Sequence, residues 1–379
     1  MKKLTIMIVI LLILTGCTAE INTKKYNKEK TFLGYINDSN NDMVLLLNTE
    51  IYLTTVDETK KDELITKATE LLTKYHILLD SHHYYKDSNN QLINNIAVLN
   101  NSINSGPVKV DPILIDSLKK AIELTKLTEG YFNFTIGKVS ELYNNKFMPF
   151  ETFNTDPDKL EIIECLKGVL QCETIDNYII VDEANSTVEL RYDKYPYSLD
   201  LGAFSKGYII NEVYKELAKY DTSFLLNAGS SSIAAYNKDE ENITWVVGVK
   251  DPDDSAKQLY AFESRNNFVS TSGDYERYYF LEDGTRRHHI LNPYTGYSEN
   301  YYRSNTILST DGGVIDALST ALFNVSDEET ISLIINNIEN YYNIKISFLM
   351  IKPDNQVYLN KLFKEVIIDT LKPTREKEV

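Results

Sequence analysis

Apolar residues recur at helical spacing in three stretches of the chain. Residues 59–80 (TKKDELITKATELLTKYHILLD) and 313–325 (GVIDALSTALFNV) carry this period throughout. Residues 110–130 (VDPILIDSLKKAIELTKLTEG) carry it too, with Asp111 placed as the N-terminal cap and Gly130 as the terminator. Each stretch is therefore predicted to form a helix.

Short β-rich runs separated by turn residues predict strands and hairpins. The run at 276–291 turns at Asp283-Gly284, a strong two-residue hairpin signal. The same reasoning predicts hairpins at 177–192 and 344–360, and single strands at 224–228 and 243–249. Hairpins mixed with helices indicate an α+β fold with antiparallel sheets. No repeat and no linker divides residues 31–366, which are predicted to form one unit, and residues 367–379 are predicted to be a polar tail.

The first residues, MKKLTIMIVILLILTGCTAE, have the pattern of an export signal. The apolar run from Leu4 to Leu14 is too short for a comfortable membrane span, and two lysines precede it. Leu-Thr-Gly before Cys17 resembles the bacterial lipobox. That resemblance implies removal of residues 1–16, a lipid on Cys17, a polar tether at 17–30 and a location on the extracytoplasmic face of the cell membrane. An uncleaved anchor helix is the alternative.

Composition and net charge argue against some classes of binding partner. The hydrophobic fraction of 43% and the charged fraction of 25% are ordinary for a folded globular protein. The formal net charge of −16 argues against a nucleic-acid partner and against a polybasic membrane-surface binder. An acidic chain that binds an anionic ligand needs a local device such as a lysine, a helix N-terminus or a bound cation.

Two cysteines, Cys165 and Cys172, remain after Cys17. They stand seven residues apart, and an exported protein is permitted a disulfide. If the stretch between them is helical, the two thiols lie two turns apart and are too distant to bridge. Both alternatives are open from the sequence, and neither cysteine is assigned a catalytic role.

The stretch SLDLGAFSKGYIINEV (198–213) predicts a strand, a turn at Gly202 and a helix with Lys206 near its start. A lysine early in a helix opposes the helix dipole, so it is better explained if it points at a bound anion. An ordinary strand–turn–helix with a solvated lysine is the alternative. A second glycine-containing loop, LLNAGSSSIAAYN (225–237), permits close backbone approach to a ligand but is a weak signal alone.

Asp316 and Thr320 lie four residues apart on the helix predicted at 313–325, so their side chains share a face. A carboxylate, a hydroxyl and a backbone carbonyl form a hard oxygen set suited to Mg²⁺, which takes substrate phosphates as further ligands. An acid near the helix N-terminus with a core-facing threonine is the alternative.

The chain has only five histidines, and His288 and His289 are adjacent. Because successive strand residues point to opposite faces, one of the pair is predicted to be functional or buried and the other solvent-side. This geometry makes chelation of a metal by both rings improbable.

Four stretches together resemble the ApbE family, the FAD:protein FMN transferases. In the family's order they are DLGAFSKGY (200–208), NAGS (227–230), SGDYER (272–277) with HILNPYTG (289–296), and DALSTA (316–321). Two stretches in the first half also resemble the family: residues 78–100 its early flavin-contact region, and TEGYFNFTIG (128–137) its D-G-x-F-D-x-T-x-G segment. The resemblance covers residues 31–365.

The resemblance implies two related antiparallel sheet-and-helix units (ApbE-like, T-fold-like) in one catalytic domain, with FAD between them. It implies that Asp316, Thr320 and the carbonyl of Ala203 bind Mg²⁺. It also implies that FAD is contacted by a second set of residues: Asp200, Lys206, Ile290 and the stretch Tyr131, Phe132 and Asn133. His289 matches the family's histidine and His288 does not.

The implied reaction transfers FMN from FAD to a Ser or Thr hydroxyl of an exported or membrane redox protein, with release of AMP. Lys206 would offset phosphate charge, and His289 or Asp274 would act as the base. Tyr131, Phe132 and Tyr275 are candidates to stack on the rings of FAD.

Asn133 and Asn292 replace aspartates of the family pattern, which puts substrate contacts or rate in question. The alternatives are an Mg²⁺-dependent FAD pyrophosphatase, a catalytically weak flavin-binding lipoprotein and a solute-binding lipoprotein of another class.

Overall fold

A computed structural model describes residues 30–143, 146–147, 153–238, 243–370 and 375–378. The predicted signal peptide, Cys17 and all but the last residue of the predicted tether lie outside these ranges. None of the helices within them is long and apolar enough to cross a membrane.

The chain alternates between helices and short strands. The helices are α1 Lys61–Leu79, α2 Ile96–Asn101, α3 Pro112–Leu127, α4 Gly137–Leu142, α5 Lys159–Leu166, α6 Ile175–Tyr178, α7 Ser205–Leu217, α8 Gly312–Phe323, α9 Glu328–Tyr342 and α10 Lys361–Val366.

The strands of the first half are β1 Thr31–Phe32, β2 Tyr35–Asn37, β3 Met43–Leu45, β4 Ile51–Thr55, β5 Val108–Lys109, β6 Ile179–Asp182, β7 Thr187–Leu190, β8 Phe224–Ala228 and β9 Ser232–Tyr236. Those of the second half are β10 Trp245–Asp251, β11 Asp254–Ser264, β12 Asn267–Gly273, β13 Tyr278–Phe280, β14 Arg286–His288, β15 Ser304–Ser309, β16 Ser347–Ile351, β17 Gln356–Leu359, β18 Ile367–Thr370 and β19 Arg375–Glu378.

The central feature is a nine-stranded sheet with the order β1-β4-β8-β9-β12-β15-β16-β17-β19. All its pairings are antiparallel except that of β17 with β19. Helix α7 packs on β8 and β9, and helix α8 packs on β12 and β15. The α+β class is confirmed, and a helix on each half of the sheet agrees with two sheet-and-helix units.

The helices and hairpins predicted from periodicity are confirmed. Helices α1 and α3 fall within their predicted stretches, and α8 begins one residue before its own, at Gly312. The Asp111 side chain accepts a hydrogen bond from the Ile113 N–H at the start of α3. The predicted hairpins are the pairs β6/β7, β13/β14 and β16/β17. The predicted single strands are β8 and β10.

The predicted boundary of the polar tail at residue 367 is wrong. Residues Ile367–Thr370 form β18, which pairs with β11 in a three-stranded sheet, β10-β11-β18. Ile367 is apolar and packs against the cluster that contains Phe262, so these residues extend the fold.

Cys165 and Cys172 are free thiols, so the disulfide alternative does not describe the structure. Cys165 lies in the last turn of α5, and its side chain packs against the cluster around Val139. The Cys172 Sγ lies beyond the helix, 3.5 Å from the carbonyl of Thr125.

Candidate active site

One cavity of about 490 Å³ brings together segments from both halves of the chain. This volume lies within the range of about 300–1,000 Å³ that is usual for small-molecule sites. Ten of the predicted site residues line it: Tyr131, Phe132, Asn133, Asp200, Ala203, Lys206, His289, Ile290, Asp316 and Thr320. Their placement in one cavity is observed, and their individual roles stay predictions.

The cavity floor depends on a close crossing of α7 and α8. A Cβ atom on Gly207 would lie 2.2 Å from the Gly312 carbonyl oxygen and 2.4 Å from the Asp316 Cβ. A Cβ on Gly312 would in turn lie 2.7 Å from the Gly207 carbonyl oxygen. Only glycine permits this approach, which carries Asp316 to the first turn of α7.

The Asp316 carboxylate is buried and held from two sides. Its Oδ2 accepts a hydrogen bond from the Gly207 N–H at 2.8 Å. Its Oδ1 accepts from the hydroxyl of Ser270 at 2.8 Å and from that of Ser232 at 3.4 Å. These three hydrogen bonds fix the orientation of the carboxylate.

Two further oxygens in the cavity wall are left without partners. The Gly207 N–H would ordinarily donate to the Ala203 carbonyl four residues earlier, but it donates to Asp316 instead. Within the described ranges, neither the Ala203 carbonyl nor the Thr320 hydroxyl has a hydrogen-bond partner. The described residues contain no group of three or more His, Cys, Asp or Glu side chains placed to hold a metal ion.

Two cationic side chains line the same cavity. Neither the Lys206 ammonium nor the Arg277 guanidinium makes a hydrogen bond or close ion pair with any other residue that the structure describes. Both carboxylate oxygens of Asp200 already accept hydrogen bonds: Oδ2 from the Ser140 hydroxyl at 2.8 Å and Oδ1 from the Gly202 N–H at 2.9 Å. Asp200 and Glu276 attract Arg277 electrostatically, but no hydrogen bond among the described residues holds either cation, so both side chains can donate to an anionic ligand.

His289 lines the cavity, as predicted for the family's histidine. Its Nδ1 lies 3.4 Å from the carbonyl of Arg277, so Nδ1 carries the proton and Nε2 is the bare nitrogen. Burial holds the pKa of His289 well below its usual value, and the positive charges of Arg277 and Lys206 lower it further. An imidazole that is neutral at physiological pH can accept a proton.

The expectation that the other histidine would be solvent-side is wrong. His288 is fully buried, with its ring edge-on to Phe323 at a centroid distance of 5.3 Å. Its Nε2–H donates to the Glu299 carbonyl at 2.8 Å, and its Nδ1 accepts from the Ile290 N–H at 3.3 Å. Burial lowers the pKa of His288 to about 4, and both ring nitrogens are satisfied structurally.

Asp274 and Tyr275 do not face the cavity. The Asp274 carboxylate is buried and accepts from Arg286 at 3.0 Å and from Arg303 at 2.7 Å. Burial raises the pKa of Asp274, while the two arginines oppose that shift. The Tyr275 ring packs over Gly273. Asp274 is therefore not placed to act as the base, and Tyr275 is not placed to stack on a ligand in this cavity.

The predicted aromatic contacts differ in exposure. Tyr131 is half-buried and stands edge-on to Tyr294, with ring centroids 5.1 Å apart. Phe132 is buried and packs against Phe204 in the core. Tyr131 therefore offers a ligand more ring surface than Phe132 does.

The two asparagines that depart from the family pattern use their amide nitrogens as donors. Asn133 donates to the Leu170 carbonyl at 2.8 Å. Asn292 donates to the Glu299 carboxylate at 3.1 Å. An aspartate could make neither bond and would repel Glu299, so the departures fit their local packing.

Several cavity residues escaped the sequence reasoning. Arg277 belongs to the SGDYER motif, but the motif alone does not indicate that its side chain lines the cavity. The segment Leu47–Asn48–Thr49 forms part of the wall, where Leu47 and Asn48 have positive φ angles of 53° and 54°. Leu47 gives no signal of that conformation, because leucine rarely adopts it.

Comparison with known proteins identifies the family. A profile of the ApbE family matches residues 49–342. The FAD:protein FMN transferase of Klebsiella pneumoniae (strain 342) is 31% identical over 61% of this chain and 68% of that protein. The enzyme of the same name from Treponema pallidum (strain Nichols) is 29% identical over 63% of this chain and 67% of that protein.

Solved structures agree on the fold. The ApbE protein of Thermotoga maritima superposes with a TM-score of 0.71 and 22% identity, covering 90% of this chain and all of that one. The flavin transferase ApbE of Vibrio cholerae gives a TM-score of 0.67 with 21% identity, covering 89% of this chain and 99% of that one. With a profile match over most of the chain, this protein belongs to the ApbE family.

Proposed function

We propose that this protein transfers FMN from FAD to a hydroxyl group of a protein acceptor. The observation that carries the proposal is the convergence of Asp316, Thr320, Ala203, Lys206 and His289 on one cavity. The proposal is also supported by relatives that are FAD:protein FMN transferases by name. The acceptor we propose is a Ser or Thr side chain, and the second product is AMP.

The donor set fits Mg²⁺. An oriented carboxylate on Asp316, an unpartnered hydroxyl on Thr320 and an unpartnered carbonyl on Ala203 are hard oxygen ligands. A single carboxylate with neutral oxygens is typical of Mg²⁺ sites that are completed by water and substrate phosphate. When bound, the ion would supply charge neutralisation at the pyrophosphate of FAD.

Lys206 and Arg277 would bind the same pyrophosphate. Their side chains line the cavity and lack hydrogen-bond partners among the described residues, so their positive charge is available to an anion. Fixed cations next to a transferring phosphoryl group stabilise the charge that develops on the leaving group, which here is the phosphate of AMP.

His289 would act as the general base. Its neutral imidazole takes the proton of the acceptor hydroxyl as that oxygen attacks the phosphorus on the riboflavin side of the pyrophosphate. The bond from this phosphorus to the bridging oxygen breaks, and the electron pair leaves with AMP. The products are a phosphodiester between the acceptor and riboflavin, free AMP and a protonated histidine.

We also propose that the enzyme acts outside the cytoplasmic membrane, anchored by a lipid on Cys17. The support is the export pattern of residues 1–16 and the lipobox-like Leu-Thr-Gly-Cys. The acceptor is then an exported or membrane redox protein. Labelling of cells with a fatty-acid probe tests the anchor, since Cys17→Ser should abolish incorporation while a Cys165→Ser control should not.

The transferase proposal is tested by mixing the purified chain with FAD, Mg²⁺ and a candidate acceptor. Flavin fluorescence that stays with the acceptor after denaturing electrophoresis, together with AMP release, is the expected result. AMP without labelled acceptor, across a panel of exported redox proteins, would instead indicate an FAD pyrophosphatase. Bound FAD with neither product would indicate a flavin-binding protein without turnover.

A further inference from the structure

One wall of the cavity is held in an unfavourable backbone conformation by a buried histidine on α1. We propose that His76 is a positioning residue for flavin binding: its Nδ1 fixes the wall segment of residues 47–49 and thereby sets the affinity for FAD. The identity of the ligand rests on the proposed function, whereas the restraint on the segment rests on contacts within the protein.

The wall segment needs an external restraint. Leu47 has φ 53° and ψ 21°, and Asn48 has φ 54°. The left-handed region is unfavourable for residues with a Cβ, and leucine lacks the polar side chain that lets asparagine hydrogen-bond locally there. Two such residues in succession persist only where the surroundings over-determine them.

The segment is held from two sides. On one side the Leu47 N–H donates to the His76 Nδ1 at 3.2 Å, in a buried position. On the other side the Gly229 N–H donates at 2.8 Å to the carbonyl of Glu50, the residue that follows the segment. A Cβ on Gly229 would lie 2.2 Å from the Thr49 Oγ1. The segment can therefore approach residue 229 this closely only because that residue is glycine.

The hydrogen bonds fix the protonation state of His76. Because Nδ1 accepts from Leu47, the proton lies on Nε2, which donates to the Tyr85 hydroxyl at 3.2 Å. Tyr85 in turn donates to the Asp80 Oδ2 at 2.7 Å, and His83 contacts the same oxygen at 2.8 Å. Burial lowers the pKa of His76, against the opposing charge of Asp80, so the neutral ring that can accept from Leu47 is retained.

The network links two parts of the cavity wall. His76 and Asp80 themselves line the cavity, as do residues 47–49 and the neighbouring Leu79, Ser81 and His82. The Asp80 Oδ1 accepts from the backbone N–H groups of His82 and His83, at 2.7 and 3.2 Å. His76 thus ties a strained wall segment to a second wall segment whose backbone is itself restrained.

Two substitutions at position 76 separate positioning from simple packing. The amide oxygen of His76→Asn stands where Nδ1 stands and can accept from Leu47, but the side chain cannot reach Tyr85. The amide of His76→Gln reaches the Nε2 position and Tyr85, but leaves the Leu47 N–H without an acceptor. The dissociation constant for FAD is measured by flavin fluorescence in the purified chain, with unfolding followed in parallel.

We expect His76→Gln to bind FAD about tenfold more weakly than the wild type, the loss that about 1.4 kcal/mol produces, and His76→Asn to stay within about twofold. Hydrogen exchange of the backbone at 46–50 without FAD should be faster in His76→Gln than in His76→Asn. Equal FAD affinity and equal exchange in the two variants would overturn the proposal.

Thr125→Val is the control for general destabilisation, since its buried hydroxyl donates to the Ala121 carbonyl within α3 and Thr125 is not among the residues that line the cavity. It should lower stability without changing the affinity for FAD. If the wild type does not bind FAD, the proposed function and the flavin part of this inference both fail, and hydrogen exchange alone decides whether His76 restrains the segment.

Discussion

At the scale of residues, the proposed contact between Lys206 and the pyrophosphate of FAD can be tested by substitution. Lys206 lines the cavity and is unpaired among the residues that the structure describes. A hydrogen bond to a charged group contributes about 1.5–3 kcal/mol, so Lys206→Met should weaken FAD binding roughly tenfold to a hundredfold. The dissociation constant for FAD measures this. Lys206→Arg keeps the charge and should lose less, and equal losses in the two variants would argue against a charge contact.

His289 predicts the pH dependence of turnover. Its pKa lies well below the usual 6.5, so the ring is neutral at pH 7, and the rate should fall only in acid as the ring protonates. Arg277 is one cause of the low pKa, because a positive charge disfavours the protonated form. Arg277→Met should therefore raise the pKa and move the acidic limb to higher pH.

The measurement is kcat/KM for AMP release between pH 4.5 and 8, taken at saturating Mg²⁺. His289→Asn should be slow and should lack this limb. If the acidic fall in kcat/KM occurs at the same pH in Arg277→Met as in the wild type, a group other than His289 titrates.

At the scale of elements, the glycine contact between α7 and α8 determines whether Asp316 reaches the first turn of α7. Gly207→Ala would place a methyl group 2.2 Å from a backbone oxygen, so the helices must separate. Overpacking of this kind costs about 1–3 kcal/mol, and it would also remove the Gly207 hydrogen bond to Asp316.

Chemical denaturation should show that loss of stability, and Mg²⁺-dependent turnover should fall with it. Gly313→Ala is the matched control, because its added Cβ would have no neighbour closer than 3.2 Å. Similar losses in both variants would mean that the close contact at Gly207 has no special role.

Local elements were predictable because their signals lie within a few residues of one another. The helical spacing of apolar residues located α1, α3 and α8, and Asp283-Gly284 located the β13/β14 hairpin. The order of the nine strands was not predictable, because pairings such as β4 with β8 join residues about 170 positions apart.

In the site, too, features that depend on nearby residues were predictable and features that depend on distant residues were not. Motif positions identified ten residues that line the cavity, including Asp316 and His289. The wall segment at residues 47–49 could not be predicted, because its conformation depends on His76 and Gly229, which are distant in sequence. The burial of His288 was not predictable, because alternation along a strand predicts the face to which a side chain points. It does not predict whether other parts of the chain cover that face.

At the scale of the whole molecule, the cavity joins segments that are far apart in the chain, from Leu47 to Thr320. A ligand that binds them all stabilises only the folded state. At a hundredfold excess over its dissociation constant, FAD should add about 2.7 kcal/mol to the free energy of unfolding. Thermal unfolding with and without FAD measures this, with riboflavin as the comparison because it lacks the pyrophosphate. A shift of equal size with riboflavin would argue against phosphate contacts.

The most direct test of the account is the intact mass of an acceptor protein after incubation with this enzyme, FAD and Mg²⁺. If this protein is the proposed transferase, the acceptor gains one FMN, less one water, on a single Ser or Thr. No gain is expected with EDTA, with Asp316→Asn, or with that acceptor residue changed to alanine. An unchanged acceptor mass while AMP accumulates, or an equal gain with Asp316→Asn, would contradict the proposed transfer.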